Sequence, residues 1–192
     1  FNMPNLKQPG ARTRVFNNEV YENNTRNFGH EGTPVASIPA GSGVVVNSND
    51  DVEIFNNNIR DNKTANVIVS SLFSAGYNDA TAQDDFDPYP ERIFIYDNTF
   101  EGGGNNPDGL ELQALKIALT GPLGKLPDVL WDGYVNEERA DQSPVLCIQN
   151  EGVQVVNVDG PNGNKDPRIS DEEYDCALDK LPVIALTGPL AE

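Results

Sequence analysis

The chain has 192 residues, 38% of them apolar, with 30 acidic and 13 basic side chains and a net charge of −17. That length suffices for one ordinary domain with a core, while the acidic excess opposes nucleic acid and anionic membrane surfaces, whose recognition needs clustered Lys and Arg. No apolar run reaches about 18 residues, so no helical membrane span is predicted.

In chain order, three segments line up without gaps: Val15 to Val20, Ile54 to Ile59 and Ile95 to Phe100. Each reads apolar, aromatic, Asn/Asp, Asn, polar, apolar, and their starts lie 39 and 41 residues apart (54 − 15 and 95 − 54). Self-similarity at long period predicts stacked repeats. A first inserted loop runs roughly from Asn27 to Ser42 and carries His30. The most complete unit follows. Val44-Val45-Val46 reads as a strand, Asn47 to Asp51 as a turn, Val52 to Phe55 as a second strand, Asn56-Asn57 as a bend, Ile59 as part of a third strand, and Asp61-Asn62-Lys63 as another turn. The next unit opens at Val67, 23 residues after Val44 (67 − 44).

That spacing, with strands of three to five residues between Asn/Asp/Gly corners, predicts a three-sided parallel β-helix of about four rungs. A second inserted loop spans roughly Ser71 to Pro90 and carries Asp84, Asp85 and Asp87. Further on, Gly109 to Leu112 reads as the first strand of another rung and Val129 to Trp131 as the second. Val145 to Asn150 and Val153 to Val158 close or cap the stack. Residues 1–160 are thus assigned to rungs and 161–192 to an irregular C-terminal tail. There Ser170-Asp171-Glu172-Glu173 has the spacing of a capping box that starts a short helix carrying Cys176. Ala-Leu-Thr-Gly-Pro-Leu occurs twice, at 118–123 and 185–190, without an evident physical reason.

In such a stack Val15, Ile54 and Ile95 form one inward column, and Val20, Ile59 and Phe100 another. Asn18, Asn57 and Asn98 form an amide ladder at the bend, where Asn tolerates left-handed backbone. Phe16, Phe55 and Tyr96 point outward in register. They are candidates for stacking sugar rings, or else rings stacked on one another under a loop or the tail. Cys147 and Cys176 are expected to form a disulfide that closes a loop of about 30 residues and contributes roughly 3–4 kcal/mol, as in an exported protein. With His30 the only histidine and no Cys-x-x-Cys pair, zinc and c-type haem attachment find little support.

The Asn-Asn bend with its apolar flanks resembles the right-handed parallel β-helix repeat of the pectate-lyase-like superfamily. More narrowly, four stretches resemble a bacterial exported family of parallel β-helix repeat proteins: Asn24 to Phe28, Ile38 to Gly43, Asp51 to Asn62 and Asp87 to Glu91. The resemblance spans roughly residues 10–110 and implies fold and export rather than a reaction. It also places the first residue inside a longer protein, so that further rungs, or a partner, are expected at the N-terminal end.

The chemistry offered is sparse. Polygalacturonase-like enzymes resemble one another in a motif series of which only Asp50-Asp51 and Gly29-His30 have counterparts here, in reversed order. Arg60 occupies the place of a lyase base but sits in a turn beside Asp61. Asp84, Asp85 and Asp87 are the calcium candidates, since calcium favours clustered carboxylates on a loop, and His30 is a candidate binding residue. The sequence therefore predicts an exported binding or structural module that presents a loop-bearing face to a protein partner or a glycan. The alternative is a polysaccharide lyase or glycoside hydrolase, or a fragment of one.

Overall fold

The computed structural model describes residues 1–4, 6–75, 86–139 and 141–184. Twelve short strands dominate them: β1 (Ala11–Phe16), β2 (Glu19–Tyr21), β3 (Ser42–Asn47), β4 (Asp50–Phe55), β5 (Asn58–Arg60), β6 (Ala65–Ser70), β7 (Glu91–Tyr96), β8 (Thr99–Glu101), β9 (Val129–Trp131), β10 (Leu146–Gln149), β11 (Val155–Asn157) and β12 (Arg168–Ser170). One α-helix, α1 (Leu110–Thr120), stands among them.

Strands consecutive in the chain mostly enter different sheets. The sheets run β1-β4-β7-β10, β2-β5-β8 and β3-β6-β9-β11-β12. Every pairing is parallel except β11 with β12. The protein is therefore mostly β, with parallel sheets and no closed barrel among the described residues.

The registers explain the sequence pattern. Val15 pairs with Ile54, Ile54 with Ile95, and Ile148 with Ile95. Val20 pairs with Ile59 and Ile59 with Phe100. Val44, Val67, Val129 and Val155 form the third row. These rows face one core, in which Ile54, Ile59, Val67, Ile95, Val129 and Val155 are wholly buried. Each such side chain contributes on the order of 1.5–3 kcal/mol.

The corners divide their work between adjacent residues. The left-handed residues are Asn17, Asn56 and Asp97, with φ of 55°, 52° and 53°. The amide ladder belongs to the residues that follow them, which corrects the assignment of both tasks to Asn18, Asn57 and Asn98. Asn18 Nδ2 donates to Asn57 Oδ1 and Asn57 Nδ2 to Asn98 Oδ1, both at 2.9 Å. Asn98 Nδ2 in turn reaches Asn150 Oδ1 at 3.3 Å, a fourth step. A second ladder, unread in the sequence, joins Asn23 Nδ2 to Asn62 Oδ1 at 3.0 Å.

Four local expectations are corrected. Gly109 to Leu112 does not begin a strand: Gly109 (φ 82°) precedes α1. Leu112, Leu115 and Leu119 recur at helical spacing and pack on the third sheet, and good helix formers fill the segment between. Val129–Trp131 is not the second strand of a rung but continues the third sheet by pairing with β6. Asp50 and Asp51, read as turn residues, open β4, with Asp51 bent at φ 52°. The capping-box signal at Ser170 yields a single 3-10 turn, Glu172–Tyr174, in which Ser170 Oγ accepts from the Glu173 amide at 3.2 Å. Of the repeated hexapeptide, 118–123 spans the end of α1, and 185–190 lies outside the described residues.

Candidate functional site

The outward aromatics do stack. Phe16 and Phe55 have centroids 5.1 Å apart with planes at 6°, and Phe55 and Tyr96 are 5.0 Å apart at 1°. Alternation along the strands puts Arg14, Glu53, Phe94 and Cys147 on the same outer face. The disulfide Cys147–Cys176 lands the tail there, and the tail then runs back across the sheet. Leu178 packs with Phe94 and Tyr96, Lys180 Nζ lies 4.1 Å from the centre of the Tyr96 ring, and the carbonyls of Leu181 and Pro182 accept from Arg14 Nη2. Beneath it Glu53 is buried, held by Arg14 Nε at 2.6 Å and by the Tyr96 hydroxyl at 3.2 Å. Burial first, and the neighbouring Glu53 second, push the Tyr96 phenol up to about 12, so it stays a donor. The tail thus covers Tyr96 and leaves Phe16 46% exposed.

The other predicted residues do not converge. His30 is exposed, with Nδ1 2.8 Å from the Glu31 carbonyl. Arg60 lies 4.2 Å over the Tyr21 ring and 3.4 Å from Asp61 Oδ2. Asp84 and Asp85 lie outside the described residues. Asp87 accepts from the Tyr89 amide at 3.0 Å. No three His, Cys, Asp or Glu groups among the described residues are arranged around a metal position.

Asp51 is engaged by Arg92 at 2.5 Å, and Asp50 faces Asp87, Glu91 and Asp51. Burial first, and those three carboxylates next, raise Asp50 to about 7. Between its ordinary range near 3.8 and that value, the folded chain holds a proton that the unfolded chain releases. The Asp50 contribution to stability therefore rises as pH falls through 7 toward 4. Asp50→Asn is expected to raise the thermal midpoint at pH 8 and to raise it by clearly less at pH 5. Melts of both proteins at the two pH values check this, and equal shifts would contradict it.

A broad groove lies elsewhere, between α1 and the outer face of the third sheet. It encloses about 1030 Å³. Val45, Ile68, Leu130 and Val158 form its floor, and Leu112 and Leu115 of α1 form a wall. Phe1 also lines it, and burial lowers the pKa of the Phe1 ammonium.

One end of the groove is polar. Asn47, Ser70 and Asp132 continue the outward rows of β3, β6 and β9, and Ser74 joins them. Asp132 Oδ2 accepts from the Ser71 amide at 2.6 Å and from the Ser71 and Ser74 hydroxyls at 2.7 Å each, and Oδ1 accepts from the Tyr134 amide at 3.2 Å. Burial raises the Asp132 carboxyl against those four bonds. Asn47, 2% exposed, donates to Ser70 Oγ at 2.9 Å and to the Ser71 carbonyl at 2.8 Å, while its Oδ1 has no partner among the described residues. An apolar groove with a few convergent polar groups is the form of a ligand seat.

None of the groove's polar residues was read as functional in the sequence. Two signals were present. Asn47 and Ser70 share the 23-residue offset of Val44 and Val67 (70 − 47), and Leu112, Leu115 and Leu119 of α1 carry the helical period. No protein-family model, curated protein or solved structure matches the chain.

Proposed function

We propose that the chain is an exported, right-handed parallel β-helix module that binds a ligand without transforming it, in the groove beneath α1. The observation that carries this reading is the groove itself, aliphatic on its floor and wall and polar at one end. The cyclic order of the three sheets and their shared registers support the β-helix reading, and right-handed crossovers are the rule between parallel strands. The resemblance to exported β-helix repeat proteins agrees with both. The disulfide fits an oxidising compartment, and no helix among the described residues is long and apolar enough to cross a membrane.

Two further partners belong to the proposal. β1, β2 and β3 each end their sheets, and Val15, Val20 and Val44 are only partly buried there. A neighbouring segment or protein would complete that end. A polysaccharide would meet Phe16, the ring that the tail leaves most open. The alternative of a polysaccharide lyase or hydrolase has no specific observation in its favour, since His30, Arg60 and the Asp50-Asp51 pair stand on separate elements.

The test uses N-phenyl-1-naphthylamine, a neutral apolar fluorophore. Its emission is expected to rise on mixing with the protein, and Ala114→Trp, which fills the groove from the exposed side of α1, is expected to abolish the rise without lowering the thermal midpoint. Absence of a rise, or an equal rise with both proteins, would remove the groove as a ligand seat.

A further inference from the structure

The connections from β6 to β7 and from β9 to β10 both leave the third sheet for the first, so they share one corner of the stack. A second concavity, of about 970 Å³, lies between them. Insertions in repeat proteins gather on one face, often the binding face. Half-buried Tyr89 and Tyr134 line this concavity, one from each connection. Phe73 backs both rings, with centroids 5.4 Å from Tyr89 and 5.0 Å from Tyr134. Asp87, Glu137 and Glu138 line it as well. Burial first, and those three carboxylates next, raise the Tyr89 phenol, so the ring stands within their field. From this arrangement we propose that the corner binds an arginine side chain of a protein partner, set against the tyrosine rings and paired with the carboxylates. The site is separate from the groove beneath α1 and goes beyond that reading.

The chain completes the same combination twice with cations of its own. Arg60 lies 4.2 Å over the Tyr21 ring, 3.4 Å from Asp61 Oδ2 and 4.0 Å from Glu19 Oε2. Lys180 lies 4.1 Å over the Tyr96 ring, whose hydroxyl donates to Glu53 at 3.2 Å. At Tyr89 and Tyr134 the rings and carboxylates are present and the cation is not. All 13 lysines and arginines lie among the described residues, and none lines this concavity. Arg139, next in sequence to Glu138, is buried and pairs with Glu91 and Asp141. Glu137 and Glu138 are exposed, so a ligand reaches them directly. A guanidinium is planar, lies against an aromatic ring, presents paired N–H donors to a carboxylate and sheds water more readily than an ammonium. The concavity is larger than one guanidinium, and Val135, 42% exposed, and Pro161 give the segment around the arginine apolar surface to meet.

The experiment titrates the intact, nitrogen-15-labelled protein with acetyl-Gly-Arg-Gly-amide, with its citrulline counterpart or with free arginine, and follows the backbone amide shifts. The arginine peptide is expected to bind at least about tenfold tighter than the citrulline peptide, which has nearly the same shape without the charge, a difference of about 1.4 kcal/mol. The largest shifts are expected at Tyr89, Tyr134 and Glu137. Tyr134→Ala, and separately Glu137→Gln combined with Glu138→Gln, are each expected to weaken the arginine peptide about threefold. Where Tyr134→Ala fails to fold, the double glutamine variant at exposed positions decides. Equal binding of the arginine and citrulline peptides overturns the inference. So do shifts spread over the whole acidic surface and unchanged in the glutamine variant. Free arginine that binds as tightly as the peptide overturns the assignment to a protein segment. Each of these outcomes leaves the groove beneath α1 to its own fluorophore test.

Discussion

Asn57→Ala is expected to lower the unfolding free energy by about 3–5 kcal/mol and the thermal midpoint by roughly 10 °C. The Asn57 side chain, 2% exposed, satisfies groups on three successive segments. Its Nδ2 donates to the carbonyls of Val15 at 2.9 Å and Phe55 at 3.0 Å, as well as to Asn98 Oδ1. Its Oδ1 accepts from both the amide and the side chain of Asn18. Alanine removes all of these partners at once and leaves backbone groups unpaired at a corner that water does not reach, each costing about 1–3 kcal/mol.

The control lies at the other end of the ladder. Asn18 is exposed, and water can replace the bond its Nδ2 makes to the Phe16 carbonyl at 2.8 Å. Asn18→Ala is expected to cost under about 1 kcal/mol. Urea unfolding of the two variants separates the cases, and losses of similar size would mean that the ladder is not what holds the corner.

The same corner shows why part of this architecture is legible in the sequence. An amide ladder requires the same side chain at the same place in every layer, so Asn18, Asn57 and Asn98 stay identical while Phe16, Phe55 and Tyr96 vary within a class. Inward columns require only aliphatic volume, and they were legible as Val15, Ile54 and Ile95. Asn150, the fourth step, comes two residues after the inward Ile148, whereas Asn98 comes three after Ile95, and Gln149 stands where the other layers have an aromatic residue, so the pattern hid it. The ladder of Asn23 and Asn62 has only two members, because Gly102-Gly103 follows Glu101 in the next layer. Two points at an offset of 39 do not stand out against a chain rich in Asn.

The helix was misread for a different reason. Gly109-Leu110-Glu111-Leu112 alternates like a strand over four residues, and only the longer window to Leu119 shows the helical period. The groove left only the shared offset of Asn47 and Ser70 and the helical period of α1 as traces in the sequence. It arises where α1 folds over the third sheet, and its polar end joins Asn47, Ser70 and Asp132 from three strands that are remote in sequence. No local pattern marks an acceptor that lacks a donor, since that is a property of the folded neighbourhood.

The tail offers the second large effect. A chain with both cysteines replaced, Cys147→Ser with Cys176→Ser, is expected to lose about 3–4 kcal/mol, because the bond closes a loop of some 30 residues in the unfolded chain. The local consequence is more diagnostic than the global one. The bond anchors the segment whose Leu178, Lys180, Leu181 and Pro182 lie over Phe94, Tyr96 and Arg14. Without it, that cover rests on one cation–π contact, a small apolar cluster and the Arg14 hydrogen bonds, which suffices for local opening well below the global unfolding energy. Trypsin is then expected to cut after Lys180 at least about tenfold faster than in the parent protein, a factor that corresponds to about 1.4 kcal/mol of lost protection. Opening also admits water to Glu53, whose burial is compensated by Arg14 and Tyr96 together. Arg14→Ala in the disulfide-bonded protein is therefore expected to destabilise by more than it does in the double-serine protein. Equal costs in the two backgrounds would mean that the tail does not shield the Arg14–Glu53 pair, and that the covered half of the aromatic column is stable without it.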